Sequence, residues 1–110
     1  MYFSTIFEKF KTLSAGTDAF KQLKNECEQA LQTSSDLDQT ALFLIYGFAK
    51  NYVLLYEDEA VESDFAQSVK QQLLEYMQLL NDALQQKDLA LILQAQNQVT
   101  SQYMKSSRIF

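Results

Sequence analysis

Apolar positions recur every three to four residues along the chain, and no stretch of four or more residues alternates cleanly between apolar and polar. That spacing belongs to amphipathic α-helices, whereas half-buried strands alternate. It predicts five helices. The first covers about residues 4–14, with Phe3, Ile6, Phe7, Phe10 and Leu13 on one face. Thr5 followed by Glu8 offers a capping box, in which hydroxyl and carboxylate each satisfy an orphan amide. Gly16 stands where a helix end favours a left-handed residue. The second covers about 18–32, opening at Thr17, with Phe20, Leu23, Cys27, Ala30 and Leu31 inward. The sequence Thr33-Ser34-Ser35-Asp36 then reads as a turn rich in capping side chains.

The third helix, about 36–57, differs from the rest. At about 100° per residue, Leu42, Phe43, Leu44, Ile45, Tyr46, Phe48, Val53, Leu54 and Leu55 surround its axis. A helix apolar all round is expected to be buried all round, at the centre of a bundle or in an oligomer interface. Gly47 sits among these residues. A mid-helix glycine costs roughly 1 kcal/mol relative to alanine, and close approach of a neighbouring helix would offset it. The fourth helix, about 64–86, has a clean wheel, with Phe65, Val69, Leu73, Tyr76, Met77, Leu80, Ala83 and Leu84 on one side. Lys87-Asp88 makes a tight turn with Asp88 as N-cap. The fifth helix, about 88–106, turns Leu89, Ile92, Leu93, Val99 and Tyr103 inward. So short a connection makes the last two helices antiparallel neighbours. The fold class is therefore all-α: a bundle of four main helices plus a short N-terminal one. At 110 residues it is expected to form a single domain over 1–110.

Composition removes several kinds of chemistry. There is no His, hence no imidazole base and no Ser-His or Cys-His pair. One Cys excludes an intrachain disulfide and a CxxC site. Two Gly, Gly16 and Gly47, cannot build a glycine-rich phosphate cradle. No convergent carboxylate, Lys or thiol constellation stands out, so no catalytic residue, cofactor or metal site is expected. Cys27 reads as a small core hydrophobe.

Net charge is −5, and it is unevenly spread. Residues 25–64 carry nine acids against Lys50 alone, while both flanks are slightly basic. That balance argues against nucleic acid, whose phosphates need clustered Lys and Arg. It points instead to a basic partner. The longest apolar run, Ala41 to Tyr56, holds Lys50 and Asn51 and is shorter than the roughly 20 apolar residues a membrane span needs. The low cysteine count suits the cytoplasm.

Three features bear on function. The connector Glu57, Asp58, Glu59, Glu62, Asp64 reads as a docking patch for a basic segment or as a solvated helix start whose acids complement the dipole of the fourth helix. Tyr52 and Tyr56, one turn apart beside these acids, would supply contact area at low entropy cost. Gln96, inside the apolar stripe of the fifth helix, would need a partner if buried. The sequence thus suggests a non-enzymatic helical module, an adaptor, chaperone or inhibitor, that binds a basic or amphipathic segment of another protein through Tyr52, Tyr56, Glu57, Asp58, Glu59 and Glu62. The alternative is a small-ligand or lipid-binding bundle with a cavity between helices 3, 4 and 5 near Gln96 and Tyr103. Either reading permits a homodimer in which one side of helix 3, or helix 1, packs across a two-fold axis.

Overall fold

A computed structural model describes residues 1–33 and 35–106. Ser34, part of the expected capping turn, and Arg108, one of the bases of the C-terminal flank, lie outside the described residues. Among the described residues the chain forms five α-helices and no strand: α1 (Phe3–Thr12), α2 (Thr17–Thr33), α3 (Gln39–Tyr56), α4 (Ser63–Gln86) and α5 (Leu89–Lys105). The all-α bundle read from the periodicity is the fold. Two hairpins, α2–α3 and α4–α5, supply most of the helix packing, and α1 lies across α2 and α4.

The core is aromatic where the hairpins meet. Phe20 of α2 stacks on Tyr52 of α3 with ring centroids 3.9 Å apart, and Phe10 of α1 lies 5.8 Å from Phe20. Phe48 of α3 packs against Tyr76 of α4 at 5.6 Å and stacks on Tyr103 of α5 at 4.2 Å. Cys27 is fully buried in α2, and desolvation pushes its thiol up to about 12. It is core filler, as its position on the apolar face suggested.

The ends of α1 are held from other elements. The capping box expected of Thr5 and Glu8 does not form, because α1 begins at Phe3, ahead of both residues. Its first amides are taken by Asp38, a fully buried carboxylate just before α3. Asp38 Oδ2 accepts from the Tyr2 amide at 2.7 Å and from the Phe3 amide at 3.1 Å. A negative charge at a helix N-terminus also complements the helix dipole. At the other end, Lys70 of α4 donates to the carbonyls of Lys11 and Leu13, placing a cation where that dipole favours one. Gly16 does not end α1, which stops at Thr12 with Leu13 extended. Its carbonyl accepts from the Ala19 and Phe20 amides and so opens α2.

The turn between α4 and α5 follows the sequence reading. Asp88 Oδ1 accepts from the Ala90 amide at 2.9 Å and from Leu91 at 3.3 Å. Lys87 adopts the left-handed conformation, φ 56°, at the position where glycine is the usual occupant.

Helix α3 corrects the most consequential expectation. It is not swallowed by its neighbours. Ala41, Leu42, Ile45, Phe48, Ala49, Tyr52 and Val53 are buried, a single stripe at helical spacing. On the opposite flank Phe43, Leu54 and Leu55 are 61%, 71% and 51% exposed. The wheel counts apolar side chains but not neighbours. In a chain this short α2 covers one side of α3, whereas α4 and α5 meet it mainly through Phe65, Tyr76 and Tyr103. Gly47 likewise has no close helix against it: a Cβ placed there would meet nothing within 4 Å. On α5 the buried stripe is Ile92, Ala95 and Val99, and Leu89 and Leu93, expected inward, are exposed.

Candidate functional site

The acidic connector and the end of α3 form one open groove of about 470 Å³. Its construction is local. After Tyr56 the Glu57 amide still donates to the Val53 carbonyl at 3.0 Å, and the Glu59 amide closes a turn onto Tyr56 at 3.1 Å. The backbone is then extended at Glu62, whose carbonyl accepts from the Ala66 amide at 3.1 Å to start α4. Chain reversal between α3 and α4 therefore takes residues 57–62. Leu55, Tyr56, Val61 and Phe65 supply apolar walls, while Glu59, Ala60 and Glu62 complete the rim.

Beneath the groove lies a packed aromatic floor. Tyr56 meets Phe65 edge-on at 5.1 Å, and Tyr52 lies 4.9 Å from Tyr56 and 6.4 Å from Phe65. Tyr52 itself is 1% exposed. Burial raises its phenol pKa, with a smaller contribution from Tyr56. It supports Tyr56 from below and has no surface to offer a partner, which corrects its expected role as a contact residue.

The acids divide into two groups. Glu57 pairs with Lys21 of α2 at 2.5 Å. The hydrogen bond and charge of Glu57 raise the Lys21 ammonium pKa, with smaller contributions from Asp18 and Asp58. Glu57 thus ties α2 to the end of α3. Glu59 and Glu62 stand on the groove rim, both exposed, and the Glu62 side chain does not cap α4. Asp58 is exposed on the turn and is not a groove wall. Asp64 lies in the first turn of α4, where it complements the helix dipole.

Of the six residues singled out from sequence, the groove gathers Tyr56, Glu59 and Glu62 and leaves Tyr52, Glu57 and Asp58 outside its walls. Leu55, Val61 and Phe65 were missed as surface residues. The wheel had assigned Leu55 and Phe65 to the core, and the signal for them was adjacency: a greasy helix end running directly into five acids.

Gln96 and Tyr103, the residues of the alternative ligand-cavity reading, both lie on α5. Tyr103 stacks on Phe48, and its hydroxyl accepts from Asn51 Nδ2 at 3.3 Å. Gln96 is half-buried, and its backbone carbonyl accepts from Thr100 Oγ1. The α4–α5 face carries an open groove of about 430 Å³, with Val69, Gln72, Tyr76 and Gln102 among its walls. Among the described residues no three Cys, Asp or Glu side chains converge to hold a metal ion, and no helix is long and apolar enough to cross a membrane. No family model, curated protein or solved structure matches the chain.

Proposed function

We propose that the chain is a non-enzymatic binding module whose 55–65 groove docks a segment of another protein that carries bulky apolar side chains beside Lys or Arg. The observation that supports this reading is the juxtaposition, in one 470 Å³ groove, of four apolar walls with the carboxylates of Glu59 and Glu62. Leu55, Tyr56, Val61 and Phe65 supply affinity through buried apolar area, at about 25 cal/mol per Å² before the costs of association. The rim carboxylates act on encounter. Charge complementarity raises association rates and sets register more than it deepens affinity. The segment 25–64, with nine acids against one Lys, extends that field well beyond the groove. Tyr56 contributes a rigid anchor, since Tyr52 and Phe65 hold its ring from two sides.

The test uses a fluorescein-labelled peptide of alternating Leu and Lys as probe, followed by anisotropy in stopped flow. The double variant Glu59→Lys, Glu62→Lys should slow association and flatten its dependence on salt while dissociation changes little. Leu55→Asp should accelerate dissociation. Association kinetics unchanged by the charge reversal would refute the role of the rim.

A further inference from the structure

Phe65 belongs to two grooves at once. It walls the 55–65 groove, and with Ser68, Gln72, Tyr76 and Gln102 it lines the 430 Å³ groove between α4 and α5. Ser106, the C-cap of α5, stands in that second groove beside them. Its backbone is extended, φ −67° and ψ 142°, so the chain leaves α5 at this point. Residues 107–110, outside the described residues, read Ser-Arg-Ile-Phe: a base followed directly by two bulky apolar side chains. That is the chemistry the 55–65 groove is proposed to accept. We infer that the groove takes this segment of its own chain, with Arg108 on the carboxylates of Glu59 and Glu62, and Ile109 and Phe110 against Leu55, Val61 and Phe65. The inference rests on the groove reading and adds regulation to it: an outside segment must first displace residues 107–110.

Direction and reach select this occupant. The short turn at Lys87-Asp88 makes α4 and α5 antiparallel, so the chain running out of α5 heads for the start of α4. Ser106 and Ser68 line one groove and mark where the run begins. From Ser68 back to Ser63, the first residue of α4, is about 7.5 Å along the helix at a rise of 1.5 Å per residue. Four extended residues span up to about 13 Å. Residues 107–110 therefore reach past Ser63 to Glu62 and Val61.

Charge selects it as well. Residues 25–64 hold nine acids against Lys50 alone, whereas bases outnumber acids from residue 65 onward, and Arg108 is the only Arg of the sequence. Its planar fork matches a carboxylate as a Lys ammonium does not. Glu57 is engaged by Lys21, while Glu59 and Glu62 stand exposed on the rim. A short tether holds a segment at a millimolar effective concentration. A contact too weak to persist between separate molecules can then fill the groove within one chain.

Nuclear magnetic resonance of the full isotope-labelled chain, with no peptide added, reads the contact directly. Nuclear Overhauser contacts should join the Ile109 and Phe110 side chains to the Leu55 and Val61 methyl groups. Arg108→Glu should abolish them, and Glu62→Lys added to that variant should restore them, with helicity by circular dichroism checked in each. A further variant, Ile109→Ser with Phe110→Ser, opens the groove without altering its charge. It should bind the alternating Leu-Lys peptide at least about twofold more tightly than the wild type does, because the competing segment is gone. Wild-type contacts that are absent, or that run to Gln72 and Tyr76 instead, overturn the inference even where the peptide binds at 55–65. So does a peptide affinity equal in the wild type and the serine variant, and so do contacts seen only between labelled and unlabelled molecules in a mixed sample. Contacts within one chain, together with a peptide that binds neither form, uphold the segment's docking and refute the groove as a receptor for another protein.

Discussion

Asp38→Ala removes the carboxylate that holds the start of α1. Two amide bonds end on Asp38 Oδ2, from Tyr2 at 2.7 Å and Phe3 at 3.1 Å, and the carboxylate is fully buried. A hydrogen bond to a charged group contributes about 1.5–3 kcal/mol. The Tyr2 amide, near the surface, recovers part of its loss from water, so the variant should lose about 3 kcal/mol. For a domain of this size that corresponds to a fall in Tm of roughly 15 °C. Asp38→Asn keeps an acceptor but loses the charge, and should cost about half as much. Urea denaturation followed by circular dichroism measures both. Amide exchange across α1 locates the effect, because Phe3, Ile6, Phe7 and Phe10 are buried only while α1 is docked. A loss for Asp38→Ala below about 0.5 kcal/mol, the scale of an ordinary surface substitution, would refute the role assigned to this carboxylate. So would a larger loss with α1 protection unchanged.

Three further outcomes follow from the same packing. Tyr52→Ala should cost about 3–5 kcal/mol by urea denaturation, as expected for a large buried ring, and should loosen Tyr56 in the groove above it. Cys27 titrates at about 12 in the folded chain against an ordinary 9.0, so folding favours the neutral thiol; its contribution is intact below pH 9 and falls by about 1.4 kcal/mol per pH unit above that as the unfolded thiol ionises. Urea midpoints from neutral to alkaline pH should show this fall, and Cys27→Val should flatten it; the raised phenols of Tyr52 and Tyr76 act in the same direction and remain in the variant. Lys87→Gly relieves a left-handed residue at φ 56° and should raise stability by about 0.5–1 kcal/mol, read as a higher thermal midpoint.

The helices and most of the core were legible because each is written in adjacent residues. The stripe of α4 from Val69 to Leu84 and the cap at Asp88 need only local spacing and one side-chain type. What could not be read depends on partners distant in the chain. Asp38 stands just before its own helix, α3, yet its carboxylate serves α1, 35 residues away. The exposed side of α3 also carries large apolar residues, Phe43, Leu54 and Leu55, so periodicity alone did not separate them from the buried stripe; the difference is which side α2 occupies. For the groove, the acids and Tyr56 announced themselves by type. Leu55, Val61 and Phe65 did not, because an apolar residue reads as core until the neighbouring backbone is seen to turn away from it.

The groove reading is tested most directly by nuclear magnetic resonance of the isotope-labelled chain titrated with the alternating Leu-Lys peptide. The account predicts saturable amide shifts concentrated at Leu55, Glu59, Val61 and Phe65, and none from a peptide in which Glu replaces every Lys. Shifts centred elsewhere, such as the α1–α2 face around Ile6 and Ala30, or equal responses to both peptides, would contradict it.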